Sequence, residues 1–234
     1  LLVFFAVVTV LLAYSATQLK VDAGFNKMVP LQHEYMRTFT EYQKSLGGAN
    51  RVLVALRVKG AAGDIYTPEF MRALKGATDD IFFIPGVDRA TVTSLFTPNV
   101  RFIEVVEEGF AGGNVVPATF RGTPSDLEIV RQNVLKSGNV GRLVANDFRG
   151  ALIRAELLEI DPASGQRLNY PAVAKQLEAV RAKYQSDQID VHIIGFAKAV
   201  GDITDGAIGV LVFFAIAFVI TAILLYLYKG SLVL

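Results

Sequence analysis

The chain has 234 residues, with 23 Lys and Arg against 22 Asp and Glu, and 52% of it is hydrophobic. It contains no cysteine, which excludes disulfides and thiolate metal sites without fixing a compartment. With Lys229 set aside, 22 basic and 22 acidic groups all fall between Lys20 and Asp205, and so balanced a stretch has no net electrostatic pull toward DNA, RNA or anionic lipid.

An apolar run, Leu1 to Ala16, opens the chain with only Thr9, Tyr14 and Ser15 as polar groups. No basic residue precedes it, as a signal peptide would require, and it falls short of a full span. The expectation is a transmembrane helix entered partway along its length. Lys20 to Pro30 is aperiodic and reads as a connector. Tyr35, Phe39, Tyr42 and Leu46 then recur on one face of an amphipathic helix that Gly47-Gly48 stops. Arg51 to Val58 alternates Val52, Val54, Leu56 and Val58 on one side and predicts a strand. Thr67-Pro68-Glu69 is a helix start, with an N-cap hydroxyl, proline in the first turn and an acid at the positive end of the dipole. Phe70, Leu74, Ala77 and Ile81 form its buried stripe. Pro85-Gly86 ends it, and Val87 to Phe96 is a second strand.

Thr97 to Gly122 is less regular, with Phe102, Phe110 and Phe120 and the pair Gly112-Gly113, which reads as flexible. The earlier order then returns. Thr123-Pro124-Ser125-Asp126 is a capping-box-like start for a helix with Leu127, Val130 and Val134 inward. Arg149 to Ile160 is a strand with Ile153, Ala155 and Leu157 on one side and Arg154 and Glu156 on the other. A turn at Asp161 to Gly165 leads to a helix facing inward through Val173, Leu177, Val180 and Tyr184, and Ile189 to Phe196 is the last strand. Thr67 and Asn169 stand at the same offset as Val87 and Ile189, so helix-strand-helix-strand occurs twice. The expected architecture is α+β: two small sandwiches side by side, helices on one face of each sheet, the strands of each half pairing directly or across an intervening one.

Gly201-Asp202-Ile203-Thr204-Asp205-Gly206 reads as a short link into the second apolar run, with Asp202, Thr204 and Asp205 capping the next helix and compensating its dipole. A link this short would let movement of the following helix pull on the second sandwich. Ala207 to Tyr228 is apolar apart from Thr221 and its tyrosines, and about 20 such residues cross a hydrocarbon core of about 30 Å. Tyr226, Tyr228 and Lys229 stand where an interface belt belongs. Lys229-Gly230-Ser231 followed by Leu232-Val233-Leu234 reads as a turn into a further apolar segment, so the chain reads as part of a larger polytopic protein. Lys229 favours a cytoplasmic turn there and an outward, periplasm-like loop.

Covalent chemistry finds little footing. His33-Glu34 begins like a zinc-protease helix, but Arg37 stands where the second ligand belongs. His192 lies within a strand beside Ile193 and Ile194. Neither a nucleophile elbow nor a phosphate-binding lysine loop occurs. Asp79-Asp80 and Glu107-Glu108 are adjacent carboxylates, which point apart on a helix and read as solvated charge. The reading is a non-enzyme with no cofactor and no metal. Phe96, at a strand end, and Phe102, Phe110 and Phe120, in the connector, are apolar groups that need a home. They either pack under the connector or line an apolar cleft between the sandwiches where a lipid-like ligand binds.

Taken together, DIYTPEFM (Asp64 to Met71), IFFIPGVDRA (Ile81 to Ala90), SLFTPNVR (Ser94 to Arg101), HIIGFAKAVGDITDGA (His192 to Ala207) and the tail LLYLYKGSLVL resemble the first half of an RND-superfamily exporter. The branch is that of lipid and hydrophobe transporters, which includes the mycobacterial large membrane proteins and the hopanoid exporters. The resemblance implies a truncated first transmembrane helix at 1–19, a ferredoxin-like (split βαβ) porter subdomain at 20–96, a connector at 97–122, and a second such subdomain at 123–200. It further implies a second transmembrane helix with its entry at 201–229 and the start of a third at 230–234. The implied function is proton-driven export of a hydrophobic or lipid-like molecule from a bacterial inner membrane, with the porter loop in the periplasm. Phe96, Phe102, Phe110 and Phe120 would contact substrate, and Asp202, Thr204 and Asp205 would couple to the membrane helix. The implied partners are the membrane, the rest of the transporter and a periplasmic adaptor, with no nucleic acid. The resemblance implies proton-relay acids in a later membrane helix, and neither apolar run here holds an ionisable side chain of that kind. The alternatives are a two-span sensor with an extracytoplasmic ligand domain and a membrane-anchored scaffold.

Overall fold

Alternation in RVLVALRV drives Val52, Val54 and Leu56 to one face of β1 (Arg51–Val58), where they are almost wholly buried. The computed structural model describes residues 2–17, 33–46, 50–60, 63–107, 109–162 and 164–229. The connector at Lys20 to Pro30, the helix stop at Gly47-Gly48, Glu108 and the 230–234 tail lie outside them. The remaining elements are α1 (Leu2–Thr17), α2 (Glu34–Leu46), α3 (Pro68–Phe82), β2 (Val87–Thr93), β3 (Arg101–Val106), β4 (Gly109–Asn114), α4 (Pro124–Lys136), β5 (Gly150–Leu157), α5 (Tyr170–Tyr184), β6 (Ile189–Gly195) and α6 (Phe196–Lys229). This is a mixed α+β architecture with antiparallel sheets and one C-terminal apolar helix.

The helix starts at Thr67 and Thr123 behave as the sequence predicts. The Thr67 hydroxyl accepts from the Phe70 amide at 3.2 Å, and Thr123 and Asp126 form a reciprocal capping box at α4. Asn169 caps α5, accepting from the Ala172 amide at 3.1 Å. Phe70, Met71, Leu74, Ala77 and Ile81 of α3 and Val173, Ala174, Leu177 and Val180 of α5 are buried. At about 1.5–3 kcal/mol for each large side chain removed from water, these stripes supply most of the drive for docking the helices.

The halves do not make two sheets. A single four-stranded sheet runs β2-β5-β1-β6, with every neighbouring pair antiparallel. β1 and β2 of the first half are separated by β5 of the second, and β5 and β6 are separated by β1. Each half therefore makes a split β-α-β unit whose gap the other half fills. Edges explain the preference: a two-stranded sheet is marginal alone and exposes both strands, whereas interleaving leaves only β2 and β6 at the margins. Val54 lies opposite both Ile153 and Ile193, and Leu56 opposite both Ala151 and Val191, so residues of both halves meet in one core under α3 and α5. The side-by-side sandwiches expected at 20–96 and 123–200 are replaced by this single sandwich.

The irregular 97–122 stretch contains the β3–β4 hairpin, a second, two-stranded sheet. α4 lies beside it, and the buried Asn133 amide donates to the Val115 carbonyl at 3.0 Å. On α2 the buried side chain is Met36, while Tyr35 and Tyr42 are exposed. The side chains of Phe39 and Leu46, expected on the same apolar face, lie outside the described residues.

β6 passes directly into α6, a 34-residue helix about 50 Å long. Gly195 makes this joint with φ 154, and a Cβ there would sit 2.5 Å from the Arg51 carbonyl oxygen. Ala197, Val200, Gly201 and Thr204 form a buried stripe along the first turns of α6, against α5. A Cβ on Gly201 would lie 2.3 Å from the Ala174 Cβ, so glycine sets how closely the two helices cross. Beyond Asp205 the helix leaves the sandwich. It is the one helix among the described residues long and apolar enough to cross a membrane, and none of its apolar window is buried.

Candidate functional site

The four connector phenylalanines fall in three places. Phe96, in the turn after β2, and Phe120, ahead of α4, meet edge to face with ring centroids 5.9 Å apart, half-buried against the core. Phe102 on β3 faces α4, where the Lys136 ammonium lies 5.8 Å from its ring centroid and 2.5 Å from Glu104. Phe110 on β4 is 81% exposed. Its cross-strand partner is Val105, and Ile103 lies on the same face opposite Gly112. Val105 and Ile103 are 80% and 70% exposed. Because strands of both halves share one four-stranded sheet, the described residues do not form the two sandwiches expected to flank the cleft. In its stead the hairpin turns one face toward α4 and holds an apolar face of Ile103, Val105 and Phe110 in solvent.

Asp202, Thr204 and Asp205 are interior helix residues and not caps, because α6 begins at Phe196. The Thr204 hydroxyl donates to the Val200 carbonyl at 2.8 Å, within the helix. Asp202 pairs with Lys198, whose ammonium also reaches Glu178 of α5 at 2.9 Å. Asp205 is exposed where the helix leaves the sandwich. Lys198 and the buried Thr204 thus tie the first turns of the helix to α5 without a linker, so the connection is stiffer than the sequence suggests.

Of the remaining polar candidates, His33, Asp79 and Asp80 have partners within the fold. His33 Nδ1 accepts from the Tyr35 amide at 3.3 Å at the start of α2, and His192 is exposed on β6. Asp79 pairs with Lys75 at 2.7 Å along α3, whereas Asp80 points to α5 and accepts from Lys183 at 2.7 Å and the Tyr184 hydroxyl at 2.8 Å. Glu107 is exposed at the hairpin turn.

Two features went unseen in the sequence. The first is a buried Tyr66. Its amide donates to Asp64 at 2.9 Å, and the Arg131 guanidinium, which pairs with Asp64, stacks 4.6 Å over its ring. Its hydroxyl is buried without a hydrogen-bond partner among the described residues, and burial pushes its pKa up to about 12 against the smaller opposing pull of Arg131. The second is a groove of about 520 Å³ on the sheet face away from α3 and α5. Leu53 of β1 and Leu152 of β5 line it, together with Thr93, Asn99, Val100 and the segment after α4 that includes Ser137, Asn139 and Leu143. Arg51, Arg101, Arg142 and Arg154 complete it. These arginines lie so far apart in the chain that only the interleaved topology gathers them, and no local motif announces them.

No family model matches the chain. It is similar to "Putative membrane protein MJ1562" of Methanocaldococcus jannaschii, with 25% identity over 162 residues, 66% of this chain and 37% of that protein. The chain thus spans little more than a third of that relative's length. The exposed apolar helix and the relative's name together point to a membrane protein.

Proposed function

We propose that the chain is the porter part of a proton-driven, RND-type membrane exporter of hydrophobic or lipid-like molecules. The extramembrane unit is then one ferredoxin-like module in place of two, standing on the periplasmic side of a bacterial inner membrane. The observation that carries the reading is α6: its first turns belong to the sandwich core and its remainder is an apolar rod, with no loop between them. A rod clamped this way transmits membrane-helix movement to the sheet as a rigid lever. The apolar face of the hairpin replaces the inter-sandwich cleft as the surface that meets substrate. α1 supplies the other membrane element, and the proton relay, further helices, second porter half and any adaptor lie in partner segments. The same rigid mounting serves a two-span sensor, the second reading.

Photolabelling tests the capture role. The full chain in lipid nanodiscs is irradiated with a diazirine-bearing long-chain alcohol, a neutral hydrophobic probe. Adducts at Ile103, Val105 and Phe110 that excess unlabelled alcohol competes away are expected. Adducts confined to α1 and α6 would contradict it. Probe-dependent efflux from vesicles holding the full-length transporter, absent for a sensor, separates the two readings.

A further inference from the structure

We propose that the arginine-lined groove on the open face of the sheet is a binding site for a phosphoryl group. Its charge is the first reason. No carboxylate lines the groove among the described residues. Arg51 is compensated by Glu156 at 2.9 Å, but the guanidinium groups of Arg101, Arg142 and Arg154 have no ion-pair or hydrogen-bond partner among the described residues. Elsewhere on this molecule arginines pair readily, Arg57 with Asp147 at 2.7 Å and Arg181 with Glu178 at 3.0 Å. Three like charges gathered without compensation repel one another, and a bound multivalent anion removes that repulsion.

Donor chemistry is the second reason. The neutral donors around the groove are already engaged: Thr93 donates to the Thr91 carbonyl, Asn99 to Val92, Ser137 to Val134, and Asn139 to Ser137. Apart from the second N–H of the Asn99 amide, the free donors lining the groove are guanidinium forks, whose planar N–H pairs match phosphate oxygens in bidentate fashion. One carboxylate satisfies one fork, whereas three unpaired forks suit a group with several oxygens and more than one charge. The overall charge balance of the extramembrane unit conceals this local excess.

A phosphoryl group reaches the groove as free phosphate or as a lipid head group, and the hairpin distinguishes them. Arg101 lines the groove and begins β3. Strand alternation sets Ile103 and Val105 on its own face, so the apolar face extends from the groove for about 13 Å. This inference stands on the groove and does not rest on the export reading, since neutral hydrophobe capture and phosphoryl binding use different probes, and the groove arginines take no part in capture; the hairpin face alone is shared by the two.

The test is calorimetric titration of the full chain in dodecyl maltoside with inorganic phosphate and, separately, with dihexanoyl phosphatidic acid below its micelle concentration. Saturable binding is expected, weakened about tenfold or more by Arg142→Gln or Arg154→Gln and weakened by added salt. Arg57→Gln, outside the groove, is expected to leave it unchanged. Equal affinity for both ligands identifies free phosphate. At least tenfold preference for the lipid, lost in Phe110→Ser, identifies a head group. Arg142 and Arg154 are exposed, so circular dichroism of the variants should match the parent. Arg154→Lys, which keeps charge but not the fork, should bind with intermediate affinity. Absence of saturable binding by both ligands, or unchanged binding in the glutamine variants, would overturn the proposal.

Discussion

At Thr67 one hydroxyl closes the first turn of α3, so Thr67→Ala should cost about 1 kcal/mol, read as a lower unfolding midpoint in dodecyl maltoside. No change would mean that the cap is redundant with Pro68. Tyr66 makes the opposite prediction. Its hydroxyl is buried without a partner among the described residues, so Tyr66→Phe should hold or raise stability, by up to about 1 kcal/mol. The pH dependence follows from its pKa of about 12. Below about pH 10, the ordinary tyrosine value, folded and unfolded chains both hold the proton. Between there and about 12 the unfolded chain loses it first, so stability falls with rising pH across that window. Unfolding midpoints should therefore drop more steeply with alkali in the parent than in Tyr66→Phe. Parallel curves would show that the Tyr66 proton is not linked to folding. Thr67 was legible because a cap is a local pattern. Tyr66 was not, because its burial depends on Arg131 and Phe148, brought to it by the tertiary fold.

Among the elements, helices and core strands could be read closely from local pattern: β1 matches its predicted bounds, and Thr67 and Thr123 each begin a helix. The hairpin escaped because β4 reads GFAGGN. Glycine carries no side chain to alternate, and Gly112-Gly113 read as flexibility where the chain is paired strand. The α6 entry was misjudged for a related reason. Gly201 and Gly206 with nearby aspartates look like a linker, yet Gly201 is there for the close crossing with Ala174. Gly201→Ala should lower the unfolding midpoint, the opposite of an exposed helical Gly→Ala change, which is normally favourable by about 1 kcal/mol. Adding Ala174→Gly should recover part of the loss, and the double-mutant cycle isolates that coupling. Independent, additive effects would place the two helices farther apart than described.

At the scale of the whole molecule, the sequence showed that the unit is built twice but not that the two builds interlock. Strand pairing across the halves is non-local, and neither half's pattern states which strand fills its gap. The same non-locality hid the arginine groove, which exists only because β1 and β5 are neighbours. What emerges is one sandwich clamped onto a helix that leaves the core and continues as an apolar rod. The absence of native cysteine permits a direct measurement: single cysteines along 197–228, in the full chain in nanodiscs, challenged with a membrane-impermeant maleimide. Labelling should follow a helical period over the first turns, with Asp202 and Asp205 reactive and Val200 and Thr204 protected, and then cease on every face from Ile208 to Leu225. Reactivity that keeps a helical period through Val212, Phe213 and Phe214 would place that rod in water and contradict the membrane mounting.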